Sequence, residues 1–448
     1  MIGRLLAEFA VSSRETALPD DVATAATRAI VDWHAATIVG SRAEPTRILR
    51  EAFGGPNRAT GAHLVPSGPR IDPVQAALIN GSAAHAAELD DIFRHGLYHP
   101  GAPTIAAALA VAQHRQISGR ELLQAVAVGY EIGDRVAAAL QPAHYVYWHT
   151  TGTVGAIGAA AAAAEAQALG IDAFTHALTT SATMAAGLQQ AFRSDAMSKP
   201  LHAGQAAANG VTAAIAAAHG LTGARDVFEG PVGLGAAMSE DVDWESAISI
   251  LGEPWAITET TVKRHSCCGH TFAAVDAALE LRAAGVTPSS TDHILVRTYS
   301  TAITVAGNAD PSSVYEAKFS LAFCVAAAMV EGTVGPGVFT DGRLADPSIR
   351  ALMDRIVVEP DPEFDADFPG RRRARVIVTT RDGSRHTVVR NTRRGDPDDP
   401  LTDAELRAKF EDLTVPVIGE QEAHDLATRL WNLRDVNDVN ELGGPTWR

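Results

Sequence analysis

The sequence predicts a mainly α protein, with a large all-helical domain and a smaller α+β domain. Three observations carry that prediction. Residues 1 to 258 read almost entirely as helices separated by Gly and Pro signals. β-Branched runs and a strong hairpin signal are confined to 259 to 398. Helical periodicity returns over 399 to 448, a tail whose texture resembles the first region and which is expected to pack back on it. A chain of 448 residues is long enough for two or three such domains.

In chain order, Asp20 or Asp21 opens a helix through Ile38, and Pro73 opens one through Glu88. Pro103 opens another through Gln113, and Ser118 caps one through Leu140. Each start places a side-chain acceptor or a proline where the first backbone N–H groups have no helical partner. Ser198 is the expected N-cap, and Pro200 a first-turn residue, of a helix running toward Gly220. Alanine dominates 156 to 167 and 206 to 218, and Gly81, Ala83, Ala84, Ala86 and Ala87 crowd one helix, so central helices are expected to pack closely. Beyond Trp255, His293 to Ser300 and Arg355 to Glu359 have strand character. Ala374 to Thr380 and His386 to Arg390 form a hairpin across Asp382-Gly383, with helices near 271 to 284, 316 to 330 and 346 to 354. After Thr402, Leu406 and Phe410 lie four apart on one helix face.

Composition excludes several function classes. A net charge of -16 and a pI near 5.4 argue against nucleic-acid or anionic-membrane partners, which the whole chain would repel. The longest apolar stretch, Val154 to Ala164, is too short to span a bilayer and reads as a buried helix. Met1 to Ala10 is amphipathic through Leu5, Leu6 and Phe9, unlike a signal peptide. Cys267, Cys268 and Cys324 make no disulfide framework, so a reducing cytoplasm is expected.

Four short stretches place cations or imidazoles beside predicted helix starts, where unpaired N–H groups and the positive dipole end favour an anion. They are Glu88-Leu89-Asp90-Asp91 with His95 and His99-Pro100-Gly101; Trp148-His149-Thr150-Thr151-Gly152-Thr153; Ser198-Lys199-Pro200-Leu201-His202 with Arg193 upstream; and Lys263-Arg264-His265-Ser266-Cys267-Cys268-Gly269-His270. Taken singly, each is ordinary. A histidine before a helix is more often a cap or packing residue, lysines are usually solvated, and Asp90 or Asp91 could close a helix end. Arg371, Arg372 and Arg373 read as a solvated charge run. The adjacent cysteines lack zinc-ligand spacing and no second Cys/His pair completes a tetrahedral set, so no metal is expected. No phosphate loop, nucleophile elbow or dinucleotide fingerprint occurs, which favours a site without a cofactor.

Together the four stretches resemble the MmgE/PrpD family, which includes 2-methylcitrate dehydratase, cis-aconitate decarboxylase and iminodisuccinate epimerase. The resemblance runs from Asn80-Gly81 through the Asp-Asp and His-Pro-Gly elements, His149-x-Thr-Gly-Thr-Val-Gly, Lys199-Pro-Leu-His-Ala-Gly and Cys267-Cys-Gly-His to Lys318-Phe-Ser-Leu. It implies a helical domain with an α+β lid and a homodimer. It also implies that Asp90 or Asp91, His99, His149, Lys199, Lys263 and His270 line a pocket between domain and lid. The match is loosest at the fourth stretch, where relatives vary between Lys and His, and Thr150 stands where many relatives have proline.

The family substrates carry a proton on a carbon α to a carboxylate. Its removal needs a base near that carbon and fixed cations facing the charge that develops. His149, or His99, suits the base; Asp90 and Asp91 join the catalytic set; Lys199 and Lys263, with His270, His202 and Arg193, suit substrate binding. The leading expectation is a lyase that dehydrates or hydrates a di- or tricarboxylate such as 2-methylcitrate. An iminodisuccinate-type epimerase, a cis-aconitate-type decarboxylase and a non-catalytic carboxylate-binding protein are the alternatives.

Overall fold

The computed structural model of the chain describes residues 1–192, 196–368 and 370–442. It divides into two units, Met1–Thr261 with the chain from Thr402 on, and Val262–Leu401. Most of the first unit is built from nine helices among the described residues: α1 (Ile2–Ser12), α2 (Asp20–Gly40), α3 (Glu44–Phe53), α4 (Pro73–Ala86), α5 (Gly101–Arg115), α6 (Gly119–Leu140), α7 (Thr150–Ala166), α8 (Ile171–Ala182) and α9 (Ser198–Ala218). Their starts follow local chemistry. Asp72 accepts the Val74 N–H at 3.0 Å ahead of Pro73. Ser118 and Glu121 cap each other's backbone N–H in a reciprocal box at the head of α6.

Two starts differ from the sequence expectation. α5 begins at Gly101, two residues before Pro103, because the Asp91 carboxylate accepts the Gly101 N–H. α9 begins at Ser198 itself, with Met197 in the cap position and no side-chain cap bond. Pro200 still falls in the first turn, where a missing N–H costs no hydrogen bond.

Every residue of α7 is buried, and the helix lies against α5, α6, α8 and α9. Small residues make this possible. A Cβ on Gly204 of α9 would stand 2.1 Å from the Leu78 carbonyl oxygen and the Ser82 Oγ of α4, and one on Gly210 would stand 2.5 Å from Ala160 N of α7. Backbone therefore meets backbone, and the ends of α4, α7 and α9 are held in a fixed relation. Ile92–Phe93 and Thr260–Thr261 form a short antiparallel pair that the sequence did not suggest. The helices Asp403–Ile418 and Glu420–Trp431 belong to this unit, where Lys409 Nζ donates to Asp32 Oδ1 at 2.5 Å and Arg28 pairs with Asp403.

The second unit is built on a four-stranded sheet of β1 (Thr291–Thr298), β2 (Ile356–Pro360), β3 (Ala374–Thr380) and β4 (Arg385–Arg390), in the order β2-β1-β3-β4. β1 and β2 are parallel, the other pairs antiparallel, and Gly383 takes the left-handed conformation (φ 85°) that the hairpin needs. Ala374, Val376, Val378 and Thr380 alternate inward along β3, and the helices Phe272–Ala283 and Leu321–Glu331 contribute to the same core. The arginine run is not a solvated loop. Arg372 is 5% exposed, and the Arg373 guanidinium lies 4.4 Å from the Phe364 ring centroid while pairing with Glu363 and Asp367. All three cysteines are free and buried. Among the described residues no helix is long and apolar enough to cross a membrane.

Candidate active site

Three breaks in the helical unit deliver its polar groups: the end of α4, the start of α7 and the start of α9. α4 stops at Ala86, and Glu88 turns the chain in the left-handed region (φ 57°). That turn folds Asp90 back on the helix it has just left, so Asp90 Oδ2 lies 2.5 Å from His85 Nδ1 and 3.5 Å from His99 Nδ1. His99 Nδ1 is closer to the Asp91 carbonyl oxygen, at 2.7 Å, to which it donates. The Asp91 carboxylate takes other partners. Its Oδ1 accepts the Gly101 N–H at 2.9 Å and its Oδ2 accepts the Tyr130 hydroxyl at 2.6 Å. Burial pushes this carboxyl up to about 7 even though both hydrogen bonds favour the charged form.

His149 occupies the cap position of α7. Its N–H donates to the Gly187 carbonyl at 2.9 Å, and its carbonyl accepts from Gly152 and Thr153. The side chain makes no cap bond, which leaves the ring for other work. Thr150, at the first helical position, is a site where proline would also fit. His149 Nδ1 lies 3.0 Å from His202 Nδ1, so one nitrogen must carry the proton and the other the lone pair. The His149 ring stacks on His85 with centroids 5.4 Å apart and planes at 28°. Burial drives the His149 pKa well below its usual value, helped by the charges of His85, Lys199, His202 and His99. Burial, with His85 and Lys199, brings His202 down to about 4. Both rings are therefore neutral at pH 7.

Lys199, at the start of α9, is buried rather than solvated and pairs with Glu88. Burial opposes its charge, but Glu88, Asp90 and Tyr145 outweigh burial and raise its pKa. The lysine at the helix start is thus one half of a buried ion pair.

The second unit carries its own polar cluster. Lys263 is fully buried, and His265 Nε2 lies 2.9 Å from Asp276 Oδ1. Half-buried His270 meets the Tyr299 hydroxyl at 2.7 Å through Nδ1, and Tyr299 stacks on Phe368 with centroids 4.8 Å apart. Burial holds His270 well below its usual pKa, and Arg372 and Arg393 act in the same direction. Arg393 is ion-paired with Asp396 at 2.6 Å.

The helical unit thus gathers Asp90, His99, His149, Lys199 and His202 into one network, with Asp91 behind them. Lys263 and His270 belong to the second unit's cluster, and Arg193 lies outside the described residues. Sequence reasoning missed His85 and Tyr130, quoted Glu88 in the first stretch without its pairing to Lys199, and misread Arg372. The available signal for His85 was a lone imidazole in a helix of small residues. For metal binding, the group of described side chains with suitable spacing is His85, Asp90 and His99, whose ligating atoms lie within 4.8 Å of one another, and not the Cys-Cys-Gly-His run. His85 Nδ1 and Asp90 Oδ2 are in hydrogen-bond contact, closer than the ~3 Å that separates two atoms each bound about 2.1 Å from one ion. The trio therefore fits a hydrogen-bonded network better than a metal cage.

The MmgE/PrpD N-terminal domain matches residues 4–247, and the MmgE/PrpD C-terminal domain matches residues 265–433. The chain belongs to the MmgE/PrpD family. A cis-aconitate decarboxylase-like protein of Aspergillus oryzae is 27% identical over an alignment covering 98% of this chain and 95% of that protein. The cis-aconitate decarboxylase of Mus musculus is 27% identical over 83% of this chain and 78% of its own length, and that of Aspergillus terreus is 25% identical over 95% and 92%.

Proposed function

We propose that the chain is an enzyme that transfers a proton beside a carboxylate of a small polycarboxylate, and that decarboxylation of an unsaturated tricarboxylate of the cis-aconitate kind is the reaction it supports best. The carrying observation is the buried His85–His149–His202 and His99 network beside the Lys199–Glu88 pair. The named relatives favour decarboxylation over the dehydration that the motifs alone suggested.

In that reaction the C–C bond to the departing carboxylate breaks and carbon dioxide leaves. The electron pair spreads through the alkene toward a remaining carboxylate until a carbon takes up a proton. Buried cationic donors stabilise the spread charge, a role that suits Lys199. The proton comes from an imidazole N–H, for which His99 and the His149–His202 pair are the candidates.

Dehydration is the second reading. It is favoured by His149 being neutral at pH 7, as a base that removes an α proton must be. The two readings separate when cis-aconitate and 2-methylcitrate are each incubated with the protein and followed by ¹³C and ¹H NMR. Labelled carbon dioxide from the first supports decarboxylation, and a new alkene from the second supports dehydration. Solvent deuterium entering 2-methylcitrate, with neither carbon dioxide nor an alkene formed, would point to epimerisation and defeat both.

A further inference from the structure

His85 is fully buried, and no part of the mechanism above uses it. Asp90 takes its Nδ1, while its Nε2 is buried without a hydrogen-bond partner among the described residues. A buried ring nitrogen without a protein partner is costly relative to an apolar side chain in the same place. The ring is also held in place, between His149 stacked at 5.4 Å and His99 edge-on at 5.1 Å.

We infer that His85, clamped by Asp90, is a positioning residue that fixes the His149 ring and sets its affinity for a proton. This rests on the reading of His149 as the proton-transfer group. His149 is faced by His85 from α4, by His99 from the segment before α5, and by Lys199 and His202 from α9, with Glu88 and Asp90 as the paired carboxylates. Of these neighbours His85 has the largest electrostatic effect on His149, next after burial itself. It is also the one whose ring stacks on it. Two unit charges about 5 Å apart at an effective dielectric near 20 shift each other by roughly two pH units, so removing one is expected to raise the His149 midpoint by about one to two.

The test is His85→Asn, which keeps an amide donor toward Asp90 but has no ring and no charge. His149 is titrated in ¹⁵N-histidine-labelled protein by ¹H–¹⁵N correlation, its signal assigned by its loss in His149→Asn. The expected result is a midpoint about one to two units higher, matched by the same displacement of the acid limb of kcat/KM. An unmoved midpoint overturns the inference, because a role limited to tethering Asp90 would survive in the Asn variant. Should that variant not fold, His85→Gln is read in the same way. The titration needs no substrate. Failure to turn over any polycarboxylate therefore sinks the proposed function alone, and an unmoved midpoint in an active protein sinks this inference alone.

Discussion

Replacing Glu88 with Gln tests whether the lysine at the head of α9 depends on its carboxylate. Both partners are only 5% exposed, so solvent does not screen the pair. Removing one member of a buried pair costs about 3–5 kcal/mol; Asp90 remains close enough to favour the ammonium, so a loss near ~3 kcal/mol is expected. The sign with pH is distinctive. In the wild type the Lys199 pKa is raised above its ordinary 10.5, so the stability it lends is present below that value and is lost as pH rises through the native pKa. In Glu88→Gln, burial is no longer outweighed and the native pKa falls. The unfolded chain then binds more protons below pH ~10, and the variant's stability rises with pH across the alkaline range. Urea unfolding followed by circular dichroism from neutral pH to pH ~10 should show the gap between the two proteins narrowing. A gap under about 1 kcal/mol that stays constant with pH would refute the reasoning, since surface pairs behave that way.

Other substitutions test neighbouring parts of the account. His149→Asn should cut turnover by ~10²-fold or more while a polycarboxylate still raises the melting temperature, the signature of a lost proton transfer rather than lost binding. Asp91 has a native pKa of about 7, above its unfolded value, so the native state holds an extra proton between pH ~4 and ~7 and this group's contribution declines as pH rises through that window. Asp91→Asn should remove the decline and gain on the wild type by about 2.7 kcal/mol between pH 5 and 8, two units at about 1.36 kcal/mol each, and parallel stability curves would contradict it. Gly204→Ala drives a methyl into the Leu78 carbonyl and should destabilise by about 3 kcal/mol, whereas Gly170→Ala, whose Cβ would meet nothing within 4 Å, should be near neutral by the same denaturant assay.

The helices were legible where their signals are local. Ser118 with Glu121, and Pro73 after Asp72, specify their own starts within four residues. The hairpin at Asp382-Gly383 is equally local. The Ile92–Phe93 pairing with Thr260–Thr261 was not legible, because two residues carry no period and the partner is far along the chain. The site followed the same rule. His149, Lys199 and His99 stood out because each sits beside a helix start. His85 lies inside α4, and its role depends on Asp90 folding back and on His149, 64 positions away, stacking against it. Glu88 looked like one more acid until Lys199, 111 positions on, met it. Arg372 was hidden by Arg371 and Arg373, whose company suggests solvent when the middle guanidinium is in fact buried.

The most direct test of the central claim is carbon dioxide release from cis-aconitate labelled with ¹³C in its carboxylates, compared between the wild type and His149→Asn at pH 7. The account predicts labelled carbon dioxide or bicarbonate from the wild type and a loss of ~10²-fold or more in the variant, with binding retained. Equal release from both proteins, or none from the wild type while it binds the acid, would contradict it.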